Sequence, residues 1–118
     1  MLGDIAIEKV YLAKGSTDLR KAVDGLAVIV QQSFELDPFS PCLFVFCNRK
    51  RDKLKILFWE NNGFWLYYKR LEQGKFQWPD ESSSGSMEIT YRQLRWLLDG
   101  LSLEEFQAHS EVNARTII

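Results

Sequence analysis

Arg49, Lys50 and Arg51, followed by Lys53 and Lys55 and later by Lys69 and Arg70, form the densest set of cationic side chains in this 118-residue sequence, and Trp65 and Tyr67 lie among them. Guanidinium and ammonium groups interleaved with aromatic rings suit two kinds of chemistry. They can pair with phosphates while the rings stack on bases, or they can present amphipathic rings to a partner protein. A third reading is a second core layer, in which lysine stems lie over the rings and only the ammonium groups reach water. Eight of the 15 Lys/Arg and three of the 16 Asp/Glu fall between Asn48 and Gln77, leaving seven and thirteen elsewhere. The net charge of -1 therefore conceals a basic segment within an acidic remainder. Such segregation concentrates positive potential and points to a polyanionic partner.

Other chemistries lack their residues. There is no glycine-rich phosphate loop, Ser/His/Asp set or metal-ligand spacing, and the lone histidine, His109, lies near the C-terminus. Asp18, Asp24 and Asp52 carry carboxylates, but their spacing does not assemble them around a metal. The expectation is a noncatalytic protein without metal or cofactor. Cys42 and Cys47 sit five residues apart in one apolar run, so on a strand they face opposite sides and stay reduced. The first ten residues carry acids where an export signal needs bases, and no apolar stretch is long enough to span a membrane. The expected location is the cytoplasm, away from any membrane.

The elements that must position the cations follow from pattern. Lys53–Trp59 and Phe64–Leu71 read as two strands around a Glu60-Asn61-Asn62-Gly63 reversal. A three-residue loop with Gly63 at a left-handed position pairs Glu60 with Phe64. That register puts Leu54, Ile56, Phe58, Phe64, Leu66 and Tyr68 on one apolar face, and Lys53, Lys55, Leu57, Trp59, Trp65, Tyr67 and Lys69 on the other. A two-residue Asn62-Gly63 loop places Lys69 beside Ile56 instead.

Cys42–Cys47, apolar on both faces, reads as a central strand joined to this hairpin through the basic turn. Ile7–Leu12 and Met87–Ile89 read as further strands, and Lys75–Trp78 as another short one. Leu19, Val23, Leu26, Val30 and Phe34 recur at helical spacing, which predicts a four-turn helix from Asp18 to Phe34 capped by Ser16 or Thr17, with an Arg20–Asp24 surface pair. Gly25 inside it implies close approach of a neighbouring backbone. Thr90 and Gln93 form a capping box for a short C-terminal helix that stops at Gly100. The predicted fold is α+β: a mainly antiparallel, twisted sheet of about five strands, one long helix packed on it and a short C-terminal helix, in a single domain over residues 1–106 with a tail at 107–118.

Several blocks resemble one family. Ser16 through Leu26, STDLRKAVDGL, is similar to its TD-[ML]-RK-x-x-DGL signature, and Leu43–Phe46 with Asn48-Arg49 to its FVF-x-NR block. Asp52–Leu57, Tyr67–Phe76, Trp78-Pro79 and the Leu94, Leu97, Leu98, Gly100 ending continue the match in order. The family is the TnpB accessory family of bacterial insertion-sequence family sixty-six transposons, distinct from the RNA-guided nucleases of the same name. The resemblance implies a role in DNA transposition beside a separately encoded DDE-type transposase and a second small accessory protein. It also singles out Asp18, Arg20, Lys21, Asp24 and Gly25 as a polar network or a second binding surface. The function expected is a noncatalytic accessory factor that binds DNA through the basic turn and hairpin. The alternative is a module that docks on the transposase or another transposon-encoded protein.

Overall fold

The computed structural model describes residues 7–79 and 84–100, and the expected tail at 107–118 lies outside them. The elements in chain order are β1 (Lys9–Ala13), α1 (Val23–Val28) continued by a π-helical turn (Ile29–Ser33), β2 (Cys42–Cys47), β3 (Lys53–Glu60), β4 (Gly63–Arg70), β5 (Ser86–Ile89) and α2 (Tyr91–Leu98). The strands form one sheet in the order β4-β3-β2-β1-β5. Every pairing is antiparallel except β1 with β2.

β2 lies at the centre because CLFVFC offers apolar side chains to both faces, and all six residues are buried. Its alternate residues feed two cores. Leu43, Val45 and Cys47 pack with Leu54, Ile56, Phe58, Phe76, Trp78 and the α2 residues Leu94 and Leu97. Cys42, Phe44 and Phe46 pack on the other side with Leu57, with Leu26 of α1 and with Val30 of the π-helical turn. The two thiols thus fall in opposite cores and remain free. α2 begins at the predicted capping box, with Thr90 Oγ1 accepting from the Gln93 amide at 3.0 Å and Gln93 Oε1 from the Thr90 amide at 2.9 Å. Gly100, with φ of 86°, ends it.

Three expectations need correction. The first helix is short. Its regular part starts at Val23 after Ala22, which provides no side-chain cap, and its π-helical turn carries Phe34 onto Phe46, ring centroids 6.0 Å apart. Residues 16–22 form an irregular loop instead, since Thr17 N–H is drawn to the Cys47 carbonyl at 2.8 Å and Lys21 N–H turns back to Asp18. Second, the hairpin register is neither of the two considered: Glu60 pairs with Gly63, Phe58 with Trp65 and Ile56 with Tyr67. Asn61 takes the left-handed conformation, φ 52°, so the turn closes one residue earlier and Gly63 joins the strand. Third, Lys75–Trp78 is not a strand. It is an irregular segment anchored by the buried rings of Phe76 and Trp78, with Trp78 Nε1 donating to the Ala13 carbonyl at 3.0 Å.

Candidate nucleic-acid interface

The one-residue shift in register exchanges the faces of β4 relative to β3. Lys53 now pairs with Arg70, Lys55 with Tyr68, Leu57 with Leu66 and Trp59 with Phe64, all on the α1 side. Trp65, Tyr67 and Lys69 sit on the opposite side with Phe58, Ile56 and Leu54. The expected basic and aromatic surface is therefore divided, and the wholly apolar face does not form.

Parallel pairing of β1 and β2 places the loops that follow them at the same end of the sheet. Between those loops and the hairpin lies an open groove of about 1000 Å³. Ser16, Thr17, Asp18, Leu19 and Arg20 line it from the first loop, Asn48, Arg49 and Lys50 from the second, and Lys53, Lys55, Leu66 and Tyr68 from the hairpin. The groove thus unites the signature segment with the basic turn.

Asn48 organises that turn. Its Oδ1 accepts from the amides of Asp52 and Lys53, both at 3.1 Å, and its Nδ2 donates to Asp52 Oδ1 at 2.7 Å. This bond is the main reason the Asp52 carboxyl is held below its ordinary range. Arg49 and Lys50 are carried at the exposed tip and, among the described residues, have no hydrogen-bonded or ion-paired partner. Arg51 differs from both. It is 8% exposed, adopts φ of 62°, and directs Nη1 to the Gly15 carbonyl at 3.0 Å while its guanidinium lies 5.7 Å from the Trp78 ring centroid.

The other cations also divide. Lys55 Nζ donates to the carbonyls of Leu19 and Lys21, at 2.7 and 3.2 Å, and holds the first loop against the hairpin. Lys69 Nζ donates to Leu98 O at 2.9 Å and neutralises the C-terminal end of α2. Arg70 pairs with Glu72 at 2.8 Å. Lys53, beside the basic turn, has no such partner among the described residues. Trp65 donates to Glu60 at 2.7 Å and stacks on Tyr67 at 6.0 Å, with half of Trp65 exposed on the far face.

The signature residues lie at the surface and have local explanations. Arg20 forks Asp18, with bonds from Nε and Nη2 at 2.7 to 3.1 Å, and the Arg20 amide adds another at 3.0 Å. The expected Arg20–Asp24 pair is thus replaced by Arg20–Asp18. The Arg20 side chain, then its amide, holds the Asp18 carboxyl down at about 2. Asp24 lies in the first turn of α1, where a carboxylate suits the helix dipole. Gly25 makes room for the stem of Lys21 rather than for another backbone: a Cβ there would lie 3.0 Å from Lys21 Cβ.

Sequence reasoning missed Tyr68 as a groove residue because the wrong register assigned it to the core. It also missed Arg20 as a neighbour of the basic turn, since only the parallel strand pair brings them together. Among the described residues no cluster of His, Cys, Asp and Glu is able to hold a metal, and no helix is long and apolar enough to cross a membrane.

Comparison with known proteins assigns the chain to a family. A family profile described as "IS66 Orf2 like protein" matches residues 8–108. Two proteins of Sinorhizobium fredii (strain NBRC 101917 / NGR234) are similar. One, "Uncharacterized protein y4hO", is 38% identical over 79% of this chain and 80% of its own length. The other, "Uncharacterized protein y4jC", is 29% identical over 86% of each. No solved structure matches. The chain belongs to the IS66 Orf2-like family, TnpB_IS66, and is a transposition-associated accessory protein.

Proposed function

We propose that the protein acts in transposition as a noncatalytic DNA-binding factor that holds the phosphodiester backbone in the groove between the 16–20 loop, the basic turn and the hairpin. One observation carries this reading. Arg49, Lys50, Lys53 and Lys55 line the groove as cations, while the carboxylate among its lining residues, Asp18, is already paired with Arg20. Arg49, Lys50 and Lys53 make the phosphate contacts. Arg20 is 91% exposed at its side chain and keeps donors free for a further contact. Lys55 shapes the wall by fixing the first loop. Of the other cations nominated from sequence, Arg51 supports the turn, and Lys69 and Arg70 are engaged within the scaffold. Phosphate contacts of this kind position a protein without reading sequence.

The test is a titration of labelled DNA from the transposon ends, as duplex and as single strand. Binding weakens steeply with salt because each phosphate contact releases counterion, and Arg49→Ala with Lys50→Ala lowers the log–log slope by about two. Absence of a complex with either form at low salt refutes the proposal.

A second reading rests on the Trp65–Tyr67 stack, whose half-exposed Trp65 lies on the face away from the groove. Paired rings of this kind are suited to anchor a protein, here the transposase or the second small accessory protein. Trp65→Ala then abolishes co-purification with that partner and leaves DNA binding unchanged; unchanged recovery rejects the reading.

A further inference from the structure

We infer that the groove takes single-stranded rather than duplex DNA, with Tyr68 as the platform on which one unpaired base stacks; the inference rests on the DNA-binding reading above. Tyr68 lines the groove and is 54% exposed. Among the described residues its ring stacks on no other ring and its hydroxyl has no hydrogen-bond partner. Of the other hairpin aromatics, Phe58 is buried in the core and the rest are engaged with other rings. Trp65 stacks on Tyr67, and Trp59 and Phe64 pack edge to face at 5.0 Å with Phe39 against both.

The surroundings of Tyr68 suit a nucleotide with its phosphate. Across the hairpin it faces Lys55, whose ammonium is drawn away to the carbonyls of Leu19 and Lys21. One step along the same face, Lys53 pairs with Arg70, and beyond Lys53 the basic turn presents Arg49 and Lys50. An unpaired base lying on the ring therefore has cationic groups on the side from which its backbone continues. An intact duplex cannot use this arrangement, because its bases cover one another's faces and offer only edges and phosphates. A ring left open in a cationic groove is the element that single-strand binders add to phosphate contacts.

The test measures anisotropy of a labelled single strand of about 12 nucleotides, and of the same sequence as duplex, with the full chain at low salt. The single strand binds more tightly than the duplex. Tyr68→Ala weakens the single strand about tenfold, Tyr68→Phe keeps it, and neither changes the duplex. Arg49→Ala weakens both forms, whereas Trp65→Ala weakens neither. Circular dichroism confirms that each variant is folded, as the exposure of Tyr68 leads one to expect. Duplex binding at least as tight as single-strand binding, or wild-type single-strand affinity in folded Tyr68→Ala, overturns the inference while the DNA-binding reading stands. Failure of both DNA forms to bind overturns the DNA-binding reading itself.

Discussion

The ammonium of Lys55 lies 2.7 Å from the carbonyl oxygen of Leu19, joining positions 36 residues apart. With its second bond to Lys21 O, this contact ties the signature loop to the hairpin and gives the groove a fixed wall. Lys55→Met keeps most of the aliphatic stem but removes the donors. The expected result is a loss of about 1 kcal/mol in stability and faster hydrogen exchange at the amides of residues 19–22, with strand amides unaffected. Unchanged exchange in the loop contradicts this role.

Arg51 and Arg49 lie on either side of Lys50, yet Arg51 is buried and Arg49 is exposed. Removing the Arg51 guanidinium leaves Gly15 O and the face of Trp78 without their cation, so Arg51→Ala costs about 2 to 3 kcal/mol of stability. Arg49→Ala, at the exposed tip, leaves the denaturation midpoint within about 0.5 kcal/mol of wild type while weakening DNA binding. Chemical denaturation of the two variants checks the contrast, and equal midpoints contradict it.

Asp18 gives a pH signature. Its carboxyl is held at about 2 by Arg20, against an ordinary value of 3.8, so the folded chain releases this proton more readily than the unfolded chain. The associated stabilisation is fully present above the ordinary value and is lost as pH falls through about 2. A carbon-13 titration of the carboxyl yields a midpoint near 2 in wild type, and Arg20→Gln moves it up toward the ordinary value. A wild-type midpoint near 3.8 rejects the fork as the cause.

Gly25→Ala tests the packing of the signature. Alanine gains about 1 kcal/mol of helix propensity, but its Cβ would lie 3.0 Å from Lys21 Cβ and 3.2 Å from Lys21 Cγ. Because Lys21 O is also held by Lys55, the loop cannot retreat freely. The variant is less stable than wild type in thermal denaturation. A gain near the propensity value shows instead that the loop yields.

What could be read in the sequence was local or two-sided. The apolar faces of Cys42–Cys47 identify the central strand, Thr90 with Gln93 marks the start of α2, and Gly100 marks its end. The hairpin was legible as an element, but its register was not. Asn61, Asn62 and Gly63 all tolerate turn conformations, and the choice of Asn61 for the left-handed position is settled by both strands together. Leu19 continues the helical spacing of Val23 and Leu26, yet the bonds from Lys55 and the Asp18–Arg20 fork hold residues 18–21 in a turn. Tertiary contacts thus override the period. The groove depends on the parallel β1–β2 pair, which joins distant segments and leaves no local pattern; Tyr68 was assigned to the wrong face for the same nonlocal reason.

The most direct test of the central claim is a nitrogen-15 correlation spectrum of the full chain titrated with single-stranded DNA at low salt. The amides of residues 16–20, 48–53 and 66–70 are expected to shift together and saturably, while those of β5 and α2 stay in place. Shifts confined to the Trp65–Tyr67 face and α2, with the basic turn and the 16–20 loop unmoved, contradict the groove as the DNA-binding surface.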